Sequence, residues 1–232
     1  MDQRIITASD AQVSESNFIS KVYLWMSLGL IVSAIASVWL LSQPVLLKAL
    51  FTHGFLLIAL MVVEVGLVIW LSAAVLRMSA AMATSLFLVY SFLNGITLSS
   101  IFLVYTGGSI MTTFAVTAGT FFFFSLYGLT TKKDLTSVGS LAMMALVGVI
   151  IASVVNIFLK SPALMWVMTF VGIAVFLGLI AYDTQKLKTM HAHALQDAEL
   201  GKKLAVIGAL ALYLDFINLF MLLLRLFGNR RD

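Results

Sequence analysis

Seven runs of apolar sequence, each long enough to cross a hydrocarbon layer, constrain this chain more than any other feature. They lie near Val22–Ser42, Phe55–Leu76, Ala80–Val104, Ile110–Leu129, Gly139–Leu159, Ala163–Tyr182 and Leu204–Phe227. A layer of ~30 Å needs about 20 residues at ~1.5 Å rise each. Lipid offers no partner to backbone N–H and C=O groups, so each run satisfies them internally, as a helix. Hydrophobic residues make up 62% of the chain and charged residues 10%, a balance foreign to soluble domains. The fold class is therefore all-α: a polytopic membrane protein, a seven-transmembrane-helix bundle. The sequence predicts a flexible polar N-terminal tail over 1–21 and one transmembrane domain over 22–228. It also predicts a loop over 184–203. Leu187, Met190, Ala194 and Leu195 keep helical spacing there, which extends the sixth helix past the membrane surface to a stop near Gly201.

The net charge of +4 reads as topology, not as affinity for nucleic acid. Basic residues favour the cytoplasmic side. With the N-terminus inside, the inner segments carry Arg4, Lys21, Arg77, Lys132, Lys133, Lys186, Lys188, Lys202 and Lys203, and the outer loops only Lys48 and Lys160. Arg225, Arg230 and Arg231 sit outside if the last segment crosses, and inside if it dips and returns; the crossing is the preferred expectation. No cleavable signal peptide is expected, because the first 20 residues are polar and the first apolar run is a full span. Cysteine is absent, which removes disulfides, thiolate metal sites and cysteine nucleophiles. His191 and His193 stand two apart and, with His53, make a poor metal set; no tightly bound cofactor is expected.

Polar groups inside the spans carry the functional signal. Asp183 ends the sixth apolar run and Asp215 lies within the seventh. A carboxylate at a bilayer centre costs roughly 2.5–3.5 kcal/mol on insertion scales. Glu64 falls mid-span in the second run, Asn94 and Asn156 in the third and fifth, and Asn218 one turn after Asp215. The two earlier asparagines read as hydrogen-bond glue between helices. Gly29, Ser33 and Ser37, then Gly148 and Ala152, then Ala174 and Gly178, recur every four positions, as close-packed membrane helices do. Gly208 and Ala211 precede Asp215 on one face, which places the last helix at the centre of the bundle.

Asp183 and Asp215 come from adjacent spans. Two carboxyls within hydrogen-bonding reach in low dielectric share one proton and titrate as a pair. Protonated, such a pair holds two helices together. Doubly ionised, it repels, opens and attracts a hard cation; oxygen-only ligands suit Ca²⁺. Asp183 and Asp215 are thus the expected gate and proton sensor and transient Ca²⁺ contacts. Glu64, Arg77 and Asn218 line the path or support the closed state, with Arg77 the candidate latch on Asp183.

The segments that carry these acids also carry a resemblance. AYDTQKL (181–187), LYLDFINLFMLLLRLFG (212–228), TTKKDL (130–135), SLGL (27–30) and NGITLSSIF (94–102) resemble the Bax inhibitor family of membrane proteins over nearly all of 20–230. The resemblance implies a seven-helix fold with a central last helix and a pH-gated Ca²⁺ leak. Its gating aspartates match Asp183 and Asp215, its second-span acid Glu64, and its latch arginine the region of Arg77, where Val75 and Leu76 replace a basic cluster.

The expectation is a non-enzymatic, pH-sensitive cation leak of a cell inner membrane, with lipid, Ca²⁺ and protons as partners. Three other readings compete. An intramembrane aspartyl protease fits Tyr182-Asp183, but Leu212-Tyr213-Leu214-Asp215 lacks the Gly-x-Gly-Asp such enzymes use. A non-catalytic adaptor that modulates a membrane protease or another complex would use the acids for packing alone. A coupled transporter would show uphill flux.

Overall fold

The computed structural model describes residues 8–52, 54–195 and 197–231. The chain order is α1 (Ala8–Leu41), α2 (Pro44–Thr52), α3 (Gly54–Ala74), a 3-10 turn (Val75–Arg77), α4 (Ala80–Leu98), α5 (Ile101–Val104), α6 (Gly107–Thr130), α7 (Thr136–Leu159), α8 (Pro162–Ala194) and α9 (Ala198–Phe227). Seven helical segments are long and apolar enough to cross a membrane, and they coincide with the seven runs read from the sequence. In the last span 61% of the apolar window is buried, against at most 39% in the others. That helix is the most buried of the seven.

Two boundaries differ from the sequence expectation. The polar tail expected over 1–21 is helical from Ala8 on, where it extends α1; residues 1–7 lie outside the described residues. The loop expected over 184–203 shrinks to the link between Ala194 and Ala198. Asp197 sets that link, because its carboxylate accepts the Glu199 and Leu200 amides at 3.2 and 3.0 Å. This N-cap starts α9 before Gly201, so Gly201 lies in the first turn of the last helix and not at the end of the sixth. The small helix α2 was not expected; Pro44 opens it at the position where proline's missing N–H costs nothing.

The described residues fall into two compact units, 1–100 with 187–210 and 101–186 with 211–232. In the first, the small face of α1 packs on α4. Ser33 donates to its own Gly29 carbonyl and to the Ser91 carbonyl at 2.7 Å, and Ser37 donates to the Gly95 carbonyl at 2.6 Å. A Cβ at Gly95 would overlap the Ser33 backbone, so the spacing of small residues is spent on a close helix crossing. Farther on, α4 ends at Leu98. The Ser99 and Ser100 hydroxyls there take the Ile96 and Thr97 carbonyls at 2.7 and 2.9 Å.

In the second unit, α6 presents Thr113, Thr117, Phe121, Ser125 and Gly128 to the interior, each buried. Phe121 and Phe114 meet Phe216 edge-on at 5.5 and 5.4 Å, whereas Phe122 and Phe123 stay exposed on the lipid side. Close approach to α8 needs two glycines: a Cβ at Gly128 would strike the Ala181 backbone, and one at Gly139 the Tyr182 ring. The expected packing role of Gly148 fails, since nothing lies within 4 Å of its would-be Cβ. Asn156 is not glue between helices either. Its side chain accepts the Ser161 amide at 3.0 Å and finishes the end of α7.

Candidate functional site

Within the second unit, helical spacing aligns Gly172, Phe176, Leu179 and Asp183 on one face of α8, and Ala211, Asp215, Asn218, Leu222 and Arg225 on one face of α9. Together with α7 these faces wall a cavity of about 480 Å³. Gly172 admits α9 closely, because a Cβ there would sit 2.9 Å from a Leu222 methyl. Asp183 is half-buried, and Asp215 is 4% exposed.

The Asp183 and Asp215 carboxyls lie within hydrogen-bonding reach of one another. Such a contact is a hydrogen bond only when one proton lies between the oxygens. Asp215 Oδ2 is buried and receives no hydrogen bond among the described residues. A buried acceptor left in that state is costly. A proton held by the pair, or a cation, relieves it.

The nearby cation is Lys186, one turn beyond Asp183, whose charge acts on that carboxyl. Its ammonium also lies 5.9 Å from the Tyr182 ring centre. Asn218 lines the same cavity, but its amide donates to the Leu214 carbonyl of its own helix at 2.8 Å. Arg225 lies ten residues past Asp215, ~15 Å along the helix axis.

Two further candidates belong to the first unit. Glu64 is buried on a helix that is otherwise mostly exposed. Its carboxyl accepts from the Asn94 amide at 3.2 Å and from the Thr97 hydroxyl. The expectation that Asn94 bonds between helices therefore holds. Arg77 ends the 3-10 turn and is exposed. The structure thus gathers Asp183, Asp215 and Asn218 at one cavity, and groups Glu64 with Asn94 and Thr97. His53 lies outside the described residues, and among those described no three His, Cys, Asp or Glu residues cluster as a metal site would need.

Three contacts escaped the sequence reading. Gln185 grips the turn before α7: its oxygen accepts the Leu135 amide at 2.9 Å, and its amide donates to the Lys133 carbonyl at 2.8 Å. The AYDTQKL and TTKKDL segments are therefore physically joined, two residues from Asp183. Ser125 and Thr184 share a buried hydroxyl hydrogen bond at 3.0 Å, next to the same aspartate. Asp134 in that turn accepts the Thr136 hydroxyl and amide at 2.6 and 2.9 Å. These bonds, the hydroxyl first, hold its exposed carboxyl below the usual carboxylate range. Helical spacing of small polar residues was the signal for Ser125; for Gln185 the sequence holds none.

The family described as "Inhibitor of apoptosis-promoting Bax1" matches residues 15–232. The inner membrane protein YbhL of Escherichia coli (strain K12) is 50% identical over 215 residues, covering 92% of each chain. The uncharacterized protein RP147 of Rickettsia prowazekii (strain Madrid E) is 45% identical over 93% of this chain and 90% of its own. An uncharacterized membrane protein of Streptococcus pyogenes serotype M1 is 35% identical over 98% of both.

Proposed function

The chain belongs to the Bax inhibitor family, and from that premise we propose that it is a pH-sensitive leak for Ca²⁺ and similar cations, gated by the proton that Asp183 and Asp215 share. The observation that carries this reading is the pair itself: two carboxyls in reach of one another, one of them almost wholly buried with an oxygen that receives no hydrogen bond from the described residues. Two unit charges ~4 Å apart repel by about 4 kcal/mol at an effective dielectric of ~20. One proton between the carboxyls turns that repulsion into a bond that ties α8 to α9. Loss of the proton leaves two like charges, which part the helices and present oxygen ligands to a hard cation. Flux therefore rises as the pH rises.

The proposed setting is a bacterial inner membrane, as the name of the E. coli relative suggests, with the N-terminus in the cytoplasm, as the basic residues suggest. Glu64 supports the closed state from its own hydrogen-bonded site. Arg77 remains the proposed latch, in competition with Lys186, whose charge already acts on Asp183.

The test is Ca²⁺-indicator flux from proteoliposomes of the pure protein across roughly pH 5–8. The wild type should leak more at the alkaline end, and Asp183→Asn and Asp215→Asn should each flatten the profile. A silent protein in otherwise empty liposomes overturns the leak and favours the adaptor. A pH profile unchanged in both variants overturns the gate.

A further inference from the structure

We propose that the cavity lined by Ser14, Asn17, Phe18, Lys21, His191 and Lys202 binds a phosphate-bearing anion, either the headgroup of an acidic lipid or a free phosphate. The cavity holds about 320 Å³ in the first unit, where α1 meets the last turn of α8 and the first turns of α9. It is separate from the aspartate pair, and the proposal does not rest on the leak.

Position is the first argument. Lys21 directly precedes the apolar run Val22–Ser42, and Lys202 stands two residues before the run Leu204–Phe227. Each ammonium therefore sits where its helix passes from polar to apolar sequence, which is headgroup depth in a membrane. Basic pockets between helices at that depth suit anionic headgroups.

Chemistry is the second. Among the described residues, no carboxylate lines the cavity. Two described acids nearby in sequence are turned to other work: Asp197 caps α9, and Glu199 accepts the Ala80 amide at 2.7 Å. Glu15 is next to Ser14 in sequence but is not part of the lining. His191 is 7% exposed, packs its ring 5.8 Å from that of Phe18, and shares a 3.0 Å hydrogen bond with the Ser14 hydroxyl. When the imidazole N–H donates in that bond, the hydroxyl hydrogen is left to turn toward an oxyanion. Two lysines, an asparagine amide and this hydroxyl thus line the cavity as donors, with no carboxylate among its described lining residues. Lysine recognises phosphate as a point charge with three donors, which suits a compact headgroup.

Thermal unfolding of the full-length protein in detergent, at fixed ionic strength, reads binding as a rise in midpoint. Three probes are titrated: dioctanoyl phosphatidic acid, dioctanoyl phosphatidylcholine and inorganic phosphate. Phosphatidic acid should stabilise the wild type more than phosphatidylcholine does. Lys21→Gln and Lys202→Gln, each made singly at an exposed position, should weaken the apparent affinity about ten-fold, and Lys21→Arg should retain it. Stabilisation by inorganic phosphate as well assigns the site to free anions; stabilisation by phosphatidic acid alone assigns it to lipid. Equal shifts from the two lipids with none from inorganic phosphate, or shifts unchanged in both glutamine variants, overturn the site.

Discussion

The Asn229 carbonyl accepts the Thr106 amide at 3.1 Å, which ties the end of the last helix to the turn that opens α6. Arg231 returns the contact through its own amide to the Val104 carbonyl at 2.9 Å, and Asn229 N donates to the Ser109 hydroxyl at 2.9 Å. Tyr105 and Arg230 form an antiparallel bridge between these contacts. The end of α9 and the 104–107 turn therefore share one end of the second unit. The Gln185 grip on Lys133 and Leu135 marks a different turn, reached only after the 24 residues of α6, ~36 Å of helix. The sequence left open whether the last segment crosses or dips; this strap favours the crossing.

Labelling tests that topology directly, because the chain has no cysteine of its own. Gly107→Cys and Arg231→Cys should react with a membrane-impermeant maleimide from the same side, and Lys133→Cys from the other. Reaction of Arg231→Cys from the Lys133 side would mean that the last helix turns back.

The contact between α1 and α4 sets a steric prediction. Gly95→Ala drives a methyl into the Ser33 backbone, where neither partner has a flexible end to move. Overpacking of this kind costs about 1–3 kcal/mol. Gly148→Ala, facing open space, should change stability by less than about 0.5 kcal/mol. Unfolding in a denaturing detergent compares the two, and equal effects would remove the close crossing.

Glu64 allows separation of shape from hydrogen bonding. Glu64→Leu removes the acceptor that the Asn94 amide and the Thr97 hydroxyl share, an expected loss of about 1–2 kcal/mol. Glu64→Gln keeps an acceptor and should recover most of it. The same unfolding measurement decides; a leucine variant as stable as wild type would show that the bonds contribute nothing.

Asp134 gives a pH prediction with a definite sign. Its folded carboxyl is held below the ordinary value of about 3.9 by Thr136. A depressed folded value means that the contribution is present above the ordinary value and lost as pH falls through the folded one. Thr136→Ala removes both the hydroxyl bond and its share of that acid loss. Carbon-edited NMR titration of the Asp134 carboxyl should then show its midpoint rise toward the ordinary value; an unmoved midpoint would assign the effect elsewhere.

How far the sequence reaches is clearest from particular residues. The seven spans were legible because lipid forces every backbone bond inside its own segment, so a span is a local property of about 20 residues. The small face of Gly29, Ser33 and Ser37 was legible for a related reason: its spacing follows the helix repeat, and only its partner on α4 was missing. Asp183 and Asp215 stood out because charge in an apolar run is rare. Gln185, Thr184 and the strap at Asn229 were not legible. Each residue turns ~100° about the helix axis relative to the one before it. Which neighbour a given side chain meets therefore depends on how whole helices rotate and cross, and that is decided by close contacts such as Gly128 on Ala181 and Gly172 on Leu222. Local composition set where the chain becomes helix; packing between distant segments set which of its polar groups face each other.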